Sequence, residues 1–381
     1  MTDLKDMPTR CHEIDGIRGF AALVVLLCHM IATPFGHIET ILTPNFLFLN
    51  GTLAVQIFFV LSGDALSARY FQTDSLNVVD KLLLKRYFRL TFLILIASYS
   101  VYLLKIFGLD VHLEAARLTH NSLLAAYLPQ MPIFDEMLLY SLVGVYVNYA
   151  FHSDAAFYSS LATAYNPVFW SMAIEMSGSL LVFLFLYIYS RLANPQIILP
   201  FLSGVFLLLF TSYAGFFFGI YIGYCRHRGW LLQWQNSPRW QTTSCVLLFC
   251  FLLSSGFYMG HIGRGATVLI AVVLVFLFYT NNRALRIFRA RFARWLGEIS
   301  FPLYAIHFSI LISLTSWLII MATKSDALTP VVMAAISLVS IFASLLTAVA
   351  LHNLEKPYLK SLDYLASYCL SRQPAEQQSA K

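Results

Sequence analysis

Two histidines, a glutamate and three arginines stand in or beside stretches of this chain that are otherwise apolar. Arg18 and His29 are eleven residues apart. At about 100° per residue they fall on nearly one helix face, about 16 Å apart in height. Imidazole titrates near neutral pH, so His29 can take the proton of an attacking hydroxyl. An ionisable group at mid-bilayer depth is costly and marks a functional candidate. The plainer reading of such a histidine is a hydrogen bond to a neighbouring helix. Glu175 closes the run Asn166-Pro167-Val168-Phe169-Trp170-Ser171-Met172-Ala173-Ile174-Glu175, with Trp170 at the membrane interface. If that span begins on the outer side, Glu175 nears the depth of His29, where a carboxylate would fix the imidazole tautomer and raise its basicity. Begun from the cytoplasm, it would lie near Arg18 instead. His307, in the run Ile299-Ser300-Phe301-Pro302-Leu303-Tyr304-Ala305-Ile306-His307, is again at mid-depth. Arg86 and Arg89 share a helix face beside Lys85. Guanidinium groups suit phosphate oxygens, although positive charge beside a span is also ordinary. Asp64 is expected to pair with a loop arginine.

The elements that must position these groups follow from composition. Of 381 residues, 59% are hydrophobic and 12% charged, with a mean hydropathy of +0.70. Soluble domains carry about 25% charged residues, and a water-soluble fold of this size cannot hide so much apolar surface. The apolar stretches run about 17–25 residues, the length of a membrane-crossing helix, and lack the period-two alternation of an outer-membrane barrel. The expected fold is therefore an all-α integral membrane protein. Spans are expected near 19–36, 46–66, 88–107, 168–190, 242–258, 265–281, 298–320 and 330–352. The segments 133–151 and 197–225 are ambiguous. A net charge of +6 resides in short loops, which excludes a nucleic-acid-binding face. Six cysteines show no metal-type pairing and imply no disulfide framework. No metal site is expected. The first span is read as uncleaved.

Clusters of Lys and Arg set orientation. Lys5, Arg10 and Arg18 precede the first span, and Lys81, Lys85, Arg86 and Arg89 the third. Arg226, Arg228 and Arg239 form one basic loop, and Arg283, Arg286, Arg289, Arg291 and Arg294 another. Placing them all in the cytoplasm leaves two solutions, each with about ten transmembrane helices in one bundle and both termini inside. In the favoured one, 133–151 stays outside and 197–225 is a tight pair; in the other, 133–151 crosses and 197–225 is one tilted span. One domain is expected over 1–381, with a polar N-terminus at 1–15 and a disordered tail at 373–381. Glu355-Lys356-Pro357 reads as a helix stop with a local ion pair.

Arg18 and His29 after Asp15-Gly16-Ile17-Arg18-Gly19, the run Phe58-Phe59-Val60-Leu61-Ser62-Gly63, the Arg86-x-x-Arg89 pair and Trp170-Ser171-x-x-x-Glu175 recur together here. Leu303-Tyr304-x-Ile306-His307 and Glu355-Lys356-Pro357 follow in order. In this order they resemble the acyltransferase-3 family of membrane acyltransferases, over nearly the whole chain. The resemblance implies transfer of an acyl group, acetyl foremost, from acyl-CoA as co-substrate to a hydroxyl of a cell-envelope or exported carbohydrate or glycolipid. The setting would be a bacterial inner membrane, with no bound cofactor. It implies His29 and Glu175 as catalytic residues, and Arg18, Arg86 and Arg89 as donor contacts. Asp15, Trp170, Ser171, Tyr304 and His307 would line or support the acceptor side. The chain departs from the pattern at Asp64, Thr91 and Phe301, and after His307. The alternatives are a proton-coupled transporter or flippase, with buried His and Glu as a proton path, and a structural membrane scaffold.

Overall fold

The computed structural model describes residues 11–38, 47–127, 133–147, 166–258 and 263–370, apart from the side chains of 253–258. Every described element is helical. Six helices are long and apolar enough to cross a bilayer: α1 (His12–Phe35), α2 (Gly51–Thr73), α3 (Leu76–Ile106), α4 (Pro167–Tyr189), α9 (Ser300–Lys324) and α10 (Pro330–Leu370). Between α4 and α9 lie α5 (Pro195–Leu209), α6 (Thr211–His227), α7 (Pro238–Tyr258) and α8 (Arg264–Thr280). The count rises to seven if α8 and the helix Asn282–Phe288, bent from it by 93°, are one span. The chain is thus a multi-pass, all-helical membrane protein.

The segment 197–225 resolves into a hairpin. Phe210 interrupts it, Phe206 stacks on Phe217 at 4.4 Å, and the Tyr224 hydroxyl lies 3.5 Å from Gln196 Oε1. Contacts between the start of α5 and the end of α6 require antiparallel helices. The expectation for 133–151 changes. Its described residues lie along α3, with Phe134 against Tyr102 at 5.7 Å and the Tyr87 hydroxyl donating to Leu142 O at 2.9 Å. Met137, Tyr140 and Val145 are buried, so the segment packs into the bundle instead of staying outside. Its last residues, from 148 on, lie outside the described set.

Two helices cross with almost no side chain between them. A Cβ at Gly63 of α2 would sit 2.0 Å from Phe216 O of α6, and one at Gly219 of α6 would sit 2.0 Å from Val60 O. Small residues permit this approach, which supplies dispersion contact where no hydrophobic effect drives helices together. The basic loop at 282–298 uses the same device. It folds as helices Asn282–Phe288 and Arg291–Glu298 and docks on α1. Gly16 meets Phe288 O and Gly19 meets the backbone at Leu296–Gly297, at separations no side chain could enter. The glycines of Asp15-Gly16-Ile17-Arg18-Gly19 therefore seat the start of α1 and aim Asp15 and Arg18.

Glu355-Lys356-Pro357 does not end a helix. α10 runs 41 residues, about 60 Å at 1.5 Å per residue, and so extends well past hydrocarbon about 30 Å thick. Contacts with α3 hold the part after Pro357: Tyr358 stacks on Phe92 at 4.2 Å, its hydroxyl donates to Phe88 O at 3.0 Å, and Lys81 Nζ donates to Ser367 Oγ at 2.8 Å. Residues 1–10 and the tail from 371 lie outside the described set.

Candidate active site

At the basic end of the bundle, α1, α2, α3 and the extension of α10 enclose a cavity of about 640 Å³. Arg18, Arg69, Lys85, Arg86 and Arg89 line it, against the acids Asp15 and Asp363. Three of these cations were singled out from the sequence as donor contacts, and one space gathers them. Arg69 was not among them, because nothing in the sequence brings the end of α2 to this cavity. Lys85 is ion-paired with Asp363 of α10, which is 3.8 Å from Lys81 as well. Cys11 also faces the cavity, with its Sγ 2.5 Å from Arg226 Nη1. Burial pushes this thiol up more strongly than Arg226 draws it down, so it stays a neutral thiol rather than a nucleophilic thiolate.

Arg86 is already committed. Its Nη2 pairs with Glu175 Oε1 and its Nε donates to Ser179 Oγ at 2.9 Å, while Ser62 Oγ donates to the same carboxylate oxygen at 2.6 Å. Both side chains are nearly buried, with 12% and 11% of their surfaces exposed. The carboxylate of Glu175 therefore holds Arg86, not His29. Of the two placements the sequence left open, beside His29 or near Arg18, this pairing is closer to the second, since Arg86 and Arg18 line one cavity. Ser62 sits in the run Phe58–Gly63, beside the glycine at which α2 crosses α6.

Asp64, fully buried, accepts from Arg226 Nη2 at 2.6 Å and from the Tyr279 hydroxyl at 2.7 Å. The expected arginine partner is thus found at the last turn of α6, and Tyr279 of α8 adds a second donor. This network ties three helices together behind the cavity.

His29 lies about 16 Å beyond Arg18 along α1, where the helix widens into a π turn over Cys28–Ala32. Such turns free backbone groups and recur at functional sites. Ser337 of α10 donates to Met30 O at 3.1 Å and pins the turn. His29 Nδ1 is 2.9 Å from Val25 O, and His307 Nδ1 of α9 is 3.1 Å from Leu303 O. A carbonyl only accepts, so both rings carry a proton on Nδ1, and the neutral form of each ring presents its lone pair at Nε2. The backbone therefore fixes the tautomer, a role expected of Glu175. The two rings face each other with centroids 4.8 Å apart and planes inclined by 54°.

Tyr304, one turn before His307, links this pair to α4. Its hydroxyl donates to Val168 O and lies 2.7 Å from Ser171 Oγ, so Ser171 must donate to it. Ser171 and Glu175 are four residues apart on one face of α4. A series of polar groups thus leads from the basic cavity through Arg86, Glu175, Ser171 and Tyr304 toward the two imidazoles, the Tyr304 ring 5.9 Å from that of His307. Trp170 is half-buried against the core at the start of α4, and Asp15 borders both the cavity and a smaller cleft lined by Arg291, Arg294 and Trp295.

The acyltransferase domain of the acyltransferase-3 family matches residues 12–349. The chain belongs to that family. It is therefore an enzyme, a membrane acyltransferase, which decides against the transporter and scaffold alternatives. Membership requires a bilayer, an acyl donor and an acceptor, and the match spans the five cations of the cavity, the track and both histidines. No curated protein and no solved structure matches the chain.

Proposed function

We propose that this acyltransferase takes its acyl group, acetyl foremost, from acyl-CoA and places it on a hydroxyl of a cell-envelope or exported carbohydrate. The observation that carries this reading is the basic cavity joined by a polar track to a pair of neutral imidazoles. Five cations against two acids favour a polyanionic donor such as coenzyme A. Arg18, Arg69, Lys85 and Arg89 contact its phosphates, while Arg86, held by Glu175, is the fixed wall along which the thiol arm passes. The acyl carbonyl then reaches His29, and the acceptor hydroxyl meets it there from the opposite end, with Trp170, Ser171 and Tyr304 beside the reacting groups. His29 Nε2, a lone pair with its tautomer set by Val25 O, removes the hydroxyl proton as oxygen attacks the thioester. Such a base contributes about 10²–10⁴-fold, and holding both substrates in one cavity adds to it.

The clustering of Arg226, Arg228 and Arg239 with the other basic segments supports placing the basic end in the cytoplasm of a bacterial inner membrane. In this reading α1 to α10 make ten crossings, with both termini inside.

Mass spectrometry of acyl groups on envelope glycans tests the function. Strains lacking the gene, complemented or not, are compared. Loss of one acyl unit per repeat, restored by the wild-type gene, is expected. An unchanged acyl profile on both envelope and secreted glycans rejects a carbohydrate acceptor.

A further inference from the structure

We infer that His29 and His307 act as one proton-holding pair, in which a single proton taken from the acceptor is shared between the two Nε2 atoms. This rests on the acyl-transfer reading above and extends it to a residue expected only to line the acceptor side.

The geometry is specific. Each ring spends its Nδ1 proton on its own backbone, His29 on Val25 O and His307 on Leu303 O. Each therefore offers a lone pair at Nε2, and two lone pairs cannot bond to each other. His307 is 1% exposed, and its Nε2 is buried with no hydrogen-bond partner among the described residues. A buried nitrogen in that condition is unfavourable and calls for a role. The ring centroids are 4.8 Å apart, so a small turn of either ring that brings the Nε2 atoms into reach lets one added proton make one a donor and the other an acceptor.

The surroundings set the charge at one proton. Among the described residues, the titratable neighbours are Tyr304, one turn before His307 and donating to Val168 O; Cys28, adjacent to His29; and Tyr127, whose ring meets Phe308 at 5.4 Å. Phenols and thiols are neutral near pH 7. From α10, Ser337 and Ser340 face the same region through Met30 and Thr315, without charge. The charged pair Arg86–Glu175 lies beyond Ser171 and Tyr304. A first proton on the pair is welcomed by the second ring, and a second proton is opposed by the first.

The chemistry balances without any further reactant. The acceptor O–H bond breaks as its oxygen bonds the acyl carbon, and the proton passes to His29 Nε2. His307 Nε2 then accepts a hydrogen bond from the imidazolium. Collapse of the tetrahedral intermediate breaks the C–S bond, and the coenzyme A thiolate takes the proton from the pair.

The test is the pH dependence of kcat in His307→Phe and His307→Gln, in proteoliposomes with saturating acetyl-CoA and envelope glycan from a gene-deleted strain. Activity needs the unprotonated base, so kcat falls as pH drops through the base's pKa. His307 raises that pKa by stabilising the imidazolium. Its loss is expected to move the acid limb to lower pH by about one unit. It is also expected to lower the plateau kcat about tenfold or more, with acceptor KM unchanged. An unmoved acid limb, or a loss confined to KM, overturns the pair and leaves His307 a binding group. If neither variant accumulates, ¹⁵N-histidine titration of the wild-type protein decides. One proton taken up jointly by the two rings is expected; two independent uptakes, or none, overturn it. Undiminished transfer by His29→Ala is a different result, because it removes the acyl-transfer reading at His29 itself.

Discussion

Alanine at Gly63 places a Cβ 2.0 Å from Phe216 O, where side-chain carbons do not come within about 3.0 Å. The obstacle is backbone, so no rotamer relieves it. α2 and α6 must part by about 1 Å, and a shift of that size reaching reacting groups costs on the order of 10²-fold in rate. Gly63 stands between two residues whose bonds frame the site. Ser62 bonds Glu175 at 2.6 Å, and Asp64 bonds Arg226 at 2.6 Å and Tyr279 at 2.7 Å. Overpacking adds about 1–3 kcal/mol of destabilisation. Gly204→Ala is the control: it lies within α5, has nothing within 4 Å of its added Cβ, and gains about 1 kcal/mol in helix propensity. Acyl transfer and thermal unfolding are measured on both variants in the same lipid. A Gly63→Ala protein as active and as stable as wild type refutes the crossing as the frame of the site. So does a Gly204→Ala protein that is equally damaged.

Glu175→Gln keeps an oxygen for Ser62 but leaves Arg86 without its counter-charge, which is expected to destabilise the protein by about 3–5 kcal/mol. Thermal unfolding of Glu175→Gln, Arg86→Gln and the double variant checks this, because a true pair makes the double variant far less damaged than the sum. Asp363→Asn releases Lys85 to the donor. Since an exposed pair is worth up to about 1 kcal/mol, acyl-CoA KM is expected to fall up to about fivefold with kcat unchanged. A KM that stays put or rises contradicts the assignment of Lys85 to the donor. Ser337→Ala removes the bond that pins Met30 O in the π turn bearing His29. At about 1 kcal/mol per hydrogen bond, kcat is expected to drop about fivefold without a change in donor KM. An unchanged kcat means that the turn holds itself.

Much of this was legible in the chain. Hydropathy marks the crossing helices, because any segment of about 20 apolar residues can satisfy its backbone only as a helix in hydrocarbon. Arg18, Arg86 and Arg89 were expected near one donor, and they line one cavity. What sequence could not supply was azimuth. Glu175 was favoured beside His29 but pairs with Arg86, because its partner depends on how α4 is rotated and set against α3. The π turns at Cys28–Ala32 and Leu311–Thr315 each insert a residue and turn the following face by about 100°, and no composition signal marks them. The extension of α10 past Pro357 was missed for a related reason. A proline there suggests a stop, and contacts with Lys81, Lys85, Phe88 and Phe92, far away in sequence, hold the helix that follows. The arginine partner expected for Asp64 is Arg226, while its second donor, Tyr279 of α8, carried no signal in the sequence.

The most direct test of His29 as the base is a single-turnover assay of His29→Gln in proteoliposomes. Radiolabelled acetyl-CoA and glycan from the gene-deleted strain are the substrates, and equilibrium binding of the same donor is measured in parallel. The expected result is unchanged donor binding with transfer slowed about 10²–10⁴-fold. Near-normal transfer by a folded, donor-binding His29→Gln protein would contradict it.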